Sequence, residues 1–208
     1  MYEIKYYNSD SRKQDNNLLF STAKAIVNNI ESGNSYYQIF QKHEPQNLLK
    51  NLIAVASEIR NRFSDLIVIS MGGATLNPQM LVSFLGQDQN SPKIHFLNNT
   101  DPFFFSDLMD IIEIKNTAFI AISNSGETLE TNALVGCLLR EYQKHNITDI
   151  GLRSFFITNL KAGILKDIAM EIGATLIPHQ EGISGRYSGL SSVSLLIGLI
   201  AGIDMLSY

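Results

Sequence analysis

At 208 residues, the chain is long enough for one sizeable domain with a full hydrophobic core. Its 45% hydrophobic and 17% charged residues are ordinary globular composition, and a net charge of -4 excludes a broad nucleic-acid or anionic-membrane surface. One cysteine, Cys137, excludes an internal disulfide framework. Residues 1–16 mix charges and asparagine without a period and read as an irregular lead-in. Leu18, Leu19, Ala23, Ile26, Val27 and Ile30 give a helical stripe ending near Gly33, and a short helix is expected from Ser35 to Lys42. After Pro45, Leu48, Leu49, Leu52, Ile53, Val55, Ala56 and Ile59 mark a longer helix. Residues 1–62 are thus expected to form a helical extension packed on a domain of residues 63–208.

Leu66 to Ser70 is the first buried strand, followed by Met71-Gly72-Gly73-Ala74-Thr75. Paired glycines after a strand let backbone come close to a ligand or a neighbouring helix. The next helix carries Leu76, Met80, Leu81 and Phe84, with Pro78 acceptable in its first turn. Lys93 to Leu97 is the second strand. Asp101-Pro102 is a helix start, a capping carboxylate followed by proline, and that helix runs through Leu108 and Ile112. Phe119 to Ile122 is the third strand. Beyond it Leu129, Ala133, Leu134, Cys137 and Leu138 line one side of a helix, which puts Cys137 in the core. A fourth strand is expected at Ser154 to Thr158, a helix from Ala162 to Ile172, and a fifth strand at Ala174 to Ile177. A polar, glycine-containing loop, Pro178 to Ser188, then leads into an apolar helix that closes the chain at Tyr208. The apolar run Val193 to Ile203 is shorter than the roughly 20 residues a bilayer requires, so a buried helix is expected and no membrane contact. The amino terminus lacks the basic and apolar regions of a secretory signal, which implies a cytoplasmic protein. Alternating strands and helices imply an α/β fold: a doubly wound, Rossmann-like, five-stranded parallel sheet.

The chemistry concentrates in Ser123-Asn124-Ser125-Gly126-Glu127-Thr128, between the third strand and its helix. Backbone amides and three hydroxyls there face one spot at the positive end of a helix dipole, which suits a phosphate. Such a cluster is ordinarily a cap and a turn. Three hydroxyls exceed what one cap needs, and the Gly72-Gly73 and Arg186 loops also follow strand ends, where doubly wound sheets bind ligands. A dinucleotide site fails on spacing, because Gly72-Gly73-Ala74-Thr75-Leu76 is not G-x-G-x-x-G and the second strand ends in Asn98-Asn99. A P-loop fails because no Gly-Lys-Ser or Gly-Lys-Thr occurs.

The serine loop resembles the Ser-x-Ser-Gly-x-Thr phosphate loop of sugar isomerase (SIS) domains, which several families share. Ile69-Ser-Met-Gly72-Gly73-Ala74 resembles the Ile-Gly-Gly-Ser loop of glucose-6-phosphate isomerases, and Gly185-Arg186-Tyr187-Ser188 resembles their Gly-Gly-Arg-Tyr/Phe-Ser motif before an apolar helix. The resemblance implies that Ser123, Ser125 and Thr128 bind the 6-phosphate of a sugar phosphate, helped by backbone at Asn124 and Gly126. It implies that Gly72, Gly73 and Gly185 flank the sugar. Arg186 would stabilise the cis-enediolate formed as glucose 6-phosphate and fructose 6-phosphate interconvert in glycolysis and gluconeogenesis. No cofactor and no metal is implied. A surface salt bridge is the plainer role for Arg186, disfavoured by its glycine-containing loop.

This sequence departs from the family at Ala74 (usually Ser), Asn124 (commonly Lys), Glu127 (commonly Thr) and Ser184 (the first Gly of the arginine motif). The resemblance covers the amino-terminal half only, and the general-base Glu, ring-opening His and late Lys of the family lie beyond it. Glu181 is the carboxylate nearest Arg186 in sequence, without a motif that makes it the base. His43, His95, His145 and His179 lack metal-ligand spacing and read as surface or structural. The expectation is a phosphosugar-binding domain that is active only with a second half. A phosphosugar-sensing or interaction module and a degenerate isomerase remnant stay open. The apolar Leu195 to Ile203 helix suggests a missing cover, from a homodimer or a separate carboxyl-terminal half.

Overall fold

The computed structural model describes residues 46–161, 163–180 and 182–205, together with Ser21, Thr22, Lys24, Ala25 and Asn28, which are helical. The expected lead-in, the helix from Ser35 to Lys42, His43 and Glu181 lie outside the described residues. The chain divides into two compact units, Met1–His43 and Glu44–Tyr208, and the second carries the features that follow.

In that unit the elements run α1 (Gln46–Arg62), β1 (Asp65–Ser70), α2 (Gly73–Leu85), β2 (Lys93–Leu97), α3 (Pro102–Ile111), β3 (Thr117–Ser123), α4 (Leu129–Lys144), β4 (Ser154–Thr158), α5 (Ile164–Glu171), β5 (Thr175–Pro178) and α6 (Ser192–Ile200). The strands form a five-stranded sheet in the order β2-β1-β3-β4-β5, and every pairing is parallel. The α/β, doubly wound expectation holds. Central strands β1, β3 and β4 are buried along their whole length, which explains their continuous apolar runs.

Alternation along each strand sorts the core into two layers. Leu66 and Val68 of β1 and Ile120 and Ile122 of β3 face α1 and α6. Ile67 and Ile69 of β1, with Phe119 and Ala121 of β3, face Leu134, Val135 and Leu138 of α4, and Leu165 and Ala169 of α5. In α1, Leu52, Ala56 and Ile59 fall at helical spacing and are buried, so this helix belongs to the core of the sheet domain. Asp101 caps α3 as its sequence indicates: its side chain accepts from Phe103 N at 2.9 Å, with Pro102 opening the helix. Asp101→Ala is expected to lower stability by about 1 kcal/mol, read from urea unfolding.

Two expectations about buried faces are corrected, for α4 and α6, and α2 turns a face to the core that its sequence did not assign. Cys137 is exposed, as are Ala133 and Leu129; the buried stripe of α4 is Thr131, Leu134, Val135, Leu138 and Tyr142. Cys137 sits about 100° around the helix from Leu138, which turns it off that stripe. In α2, Leu76, Met80 and Phe84 point outward at 60, 60 and 85% exposure, while Ala74, Thr75 and Pro78 face inward. These smaller side chains let α2 approach the Gly185–Leu190 turn closely. Finally, α6 finds its cover inside the chain: Val193, Leu196, Ile197 and Ile200 are buried and the helix packs on α1 and α2. Its apolar character therefore requires no second polypeptide. Among the described residues no helix is long and apolar enough to cross a membrane.

Candidate active site at the carboxyl ends of β1 and β3

After β1 the chain crosses to β2 on one side of the sheet, and then returns to β3 on the other. Strand order therefore reverses between β1 and β3, and the crevice of a doubly wound sheet opens beyond their carboxyl ends. Ser70 pairs in register with Ile122, so the Gly72-Gly73 loop and the Ser123–Thr128 loop leave the sheet side by side.

In the serine loop, Ser123 is buried, Asn124 and Thr128 are half-buried and Ser125 is exposed. Ser123 Oγ lies 2.8 Å from Thr128 Oγ1 and 3.5 Å from Ser125 Oγ, and accepts from Gly126 N at 3.2 Å. Ser125 Oγ accepts from Glu127 N at 3.1 Å. The three hydroxyls thus form one cluster. Gly126 turns the loop at φ 70°, and a Cβ there would stand 3.1 Å from Thr158 Oγ1 and 3.3 Å from Gly163 Cα. Thr128 is the N-cap residue of the 16-residue helix α4, yet its side chain accepts from none of the helix's first amides. Those amides stay available to an anion at the positive end of the dipole. Glu127 does not compete for that spot, because its carboxylate accepts from Ile164 N at 3.2 Å at the start of α5.

The arginine loop meets both of the others. A Cβ on Gly73 would stand 2.5 Å from Arg186 Cα and 2.6 Å from Gly185 O, so only glycine allows this approach. A Cβ on Gly185 would stand 3.4 Å from Ala74 N. Asn124 Nδ2 donates to Ile183 O at 3.1 Å, tying the serine loop to the arginine loop. Arg186 is exposed and forms no ion pair among the described residues. The structure brings Gly72, Gly73, Ser123, Asn124, Ser125, Gly126, Thr128, Gly185 and Arg186 to one end of the sheet.

Sequence reasoning missed the polar groups that support these loops. Asn77 Nδ2 donates to Gly185 O at 3.0 Å, and Thr158 Oγ1, beneath Gly126, is buried without a partner among the described residues. His179 is buried, its backbone N–H bonded to Thr158 O and its Nδ1 3.2 Å from Gln180 O. A carbonyl only accepts, so Nδ1 carries the proton, and Nε2 is buried without a partner among the described residues. Burial pushes the His179 pKa below its ordinary 6.5, against the opposing pull of the Gln180 carbonyl. The unfolded chain therefore takes up this proton more readily. The stability contributed by neutral His179 is fully present above pH 6.5 and is lost as pH falls from there through the folded-state value. His179→Gln is expected to flatten that decline in thermal melts recorded across the acid range. Of the other described histidines, His95 Nε2 pairs with Asp65 at 2.8 Å and His145 is exposed just past α4. Among the described residues no group of three or more His, Cys, Asp or Glu is placed to hold a metal ion.

A sequence model of phosphoglucose isomerase matches residues 19–208, a stretch that contains all three loops. The chain belongs to the phosphoglucose isomerase family. A glucose-6-phosphate isomerase of Acetivibrio thermocellus is 30% identical over 164 residues, covering 73% of this chain and 36% of that protein. One of Rubrobacter xylanophilus is 30% identical over 167 residues, covering 76% and 38%. The crystal structure of a glucose-6-phosphate isomerase from Chlamydia trachomatis superposes with a TM-score of 0.67 at 21% identity, covering 78% of this chain and 33% of that one. That likeness carries the fold alone, and it is the SIS-type α/β fold. The chain thus spans little more than a third of the length of these curated phosphoglucose isomerase relatives.

Proposed function

We propose that this chain binds glucose 6-phosphate or fructose 6-phosphate in the crevice between β1 and β3. The convergence of three loops carries the reading: Asn124 ties the serine loop to Ile183, and Gly73 abuts the backbone of Arg186. Ser123, Ser125 and Thr128 take the phosphate, helped by the backbone at Asn124 and Gly126 and by the amides at the start of α4. Gly72, Gly73 and Gly185 form a low wall against which the sugar lies. Arg186, exposed and without an ion pair among the described residues, stands at the reacting end.

In aldose-ketose isomerisation a base removes the proton beside the carbonyl and returns it to the neighbouring carbon. Negative charge builds on the enediolate oxygens between the two transfers. A guanidinium fixed there lowers that barrier, because its charge matches the transition state better than the ground state. Proton transfer itself needs a positioned base. We assign that base to sequence that the relatives carry outside the matched third of their length. A coupled assay on the purified chain is expected to show no sustained interconversion of the two sugar phosphates. Turnover that disappears with Arg186→Ala would contradict this and place a base within these 208 residues.

A further inference from the structure

Arg186 has a long, flexible side chain on an exposed turn, and its usefulness depends on where its backbone is held. Gly185 to Leu190 form a 3-10 turn. Inside it, Ser188 Oγ donates to Gly185 O at 2.7 Å, and from just beyond it the Ser191 and Ser194 hydroxyls donate to Ser188 O at 2.9 and 3.1 Å. From outside the turn, Asn77 of α2 reaches in. Its Nδ2 lies 3.0 Å from Gly185 O, 3.1 Å from Ser188 Oγ and 3.5 Å from Arg186 O. Two of these three are carbonyls that only accept, so the amide nitrogen, not its oxygen, must face the turn. The Ser188 hydroxyl gives its proton to Gly185 O and can accept the second amide proton. One side chain thus satisfies the groups on both sides of Arg186.

We propose that Asn77 is the positioning residue of Arg186. It holds the arginine backbone against the end of β1, so that the guanidinium reaches the sugar end of the crevice. This rests on the reading of Arg186 given above. Asn77 sits one turn into α2, whose first residue, Gly73, leaves no room for a Cβ against Arg186 Cα, so the helix meets the loop at two adjacent points. The hydrogen bonds of Asn77 run to Gly185, Arg186 and Ser188, so its effect is expected at the sugar end and not at the phosphate.

The test is a double-mutant cycle on the full chain, titrating fructose 6-phosphate and, separately, inorganic phosphate. Asn77→Ala is expected to weaken the sugar phosphate by about tenfold, the worth of one or two hydrogen bonds. Inorganic phosphate should bind the variant and the wild type alike. In the Arg186→Ala background the same substitution should cost nothing further, because a positioning residue has no effect once its target is gone. Asn77→Asp, equal in size but without the amide donors, should behave as Asn77→Ala. Equal losses for Asn77→Ala with and without Arg186 would overturn the positioning role and leave Arg186 in place. Unchanged sugar phosphate binding in Arg186→Ala, or no binding by the wild type, would overturn the reading of the site and this inference with it. Chemical denaturation of each variant separates loss of fold from loss of binding.

Discussion

Replacing Gly73 with alanine is expected to weaken fructose 6-phosphate binding at least about tenfold, to the level of inorganic phosphate, lower stability by about 1–3 kcal/mol and leave binding of inorganic phosphate intact. The added Cβ would stand 2.5 Å from Arg186 Cα, 2.6 Å from Gly185 O and 2.7 Å from Arg186 N. All three are backbone atoms, so no rotamer change relieves the contact. Either α2 backs away from the sheet or the arginine turn shifts outward. Its Asn77 and Ser188 hydrogen bonds make the second movement costly, and each route moves Arg186 from the crevice. The serine loop is tied through the Asn124 side chain to Ile183, ahead of the arginine turn, while its hydroxyl cluster is closed on itself. Phosphate recognition should therefore survive. Titrations with both ligands, alongside urea unfolding, check the prediction. Simultaneous loss of both ligands in a folded variant would show that the loops do not act separately.

Phe119→Ala is expected to lower stability by about 3–5 kcal/mol. Phe119 is fully buried in the middle of β3. Its ring meets Phe156 edge-on at 5.5 Å between centroids and Tyr142 at 6.1 Å, joining β3 to β4 and α4. The cavity would open between a central strand and the helix that the serine loop starts, where neighbouring strands cannot collapse to fill it. A loss of that size is a large share of the roughly 5–15 kcal/mol typical of a domain. Unfolding in urea should show a lower midpoint with an unchanged slope. A loss below about 1 kcal/mol would mean that this aromatic cluster is not a packed centre of the core.

Much of the fold could be read in the sequence because each strand carries its own apolar run and Asp101-Pro102 marks a helix start by local chemistry alone. Strand ends were less legible. β3 extends from Thr117 to Ser123, two residues earlier and one later than its apolar run, because buried Thr117 and Ser123 continue the ladder with polar side chains. Helical period showed that α2 and α4 each have an apolar stripe, but a period does not say which stripe the sheet takes. Leu76, Met80 and Phe84 recur every four residues like a core face, and they point outward. The loop motifs were visible because each is contiguous. Their supports were not: Asn77 lies 108 residues from Gly185, Asn124 lies 59 from Ile183, and Glu127 lies 37 from Ile164. An asparagine in the second turn of a helix carries no local mark of such a partner.

The central claim is that the crevice between β1 and β3 binds the phosphate of a sugar phosphate. Calorimetric titration of the purified chain with fructose 6-phosphate tests it most directly, with inorganic phosphate and unphosphorylated fructose as controls. Fructose 6-phosphate is expected to bind, phosphate to bind more weakly and fructose not at all. In a folded variant carrying Ser125→Ala and Thr128→Ala, binding of both phosphorylated ligands should be lost. Failure of the wild-type chain to bind fructose 6-phosphate at millimolar concentration, or binding that the double variant retains, would contradict the claim.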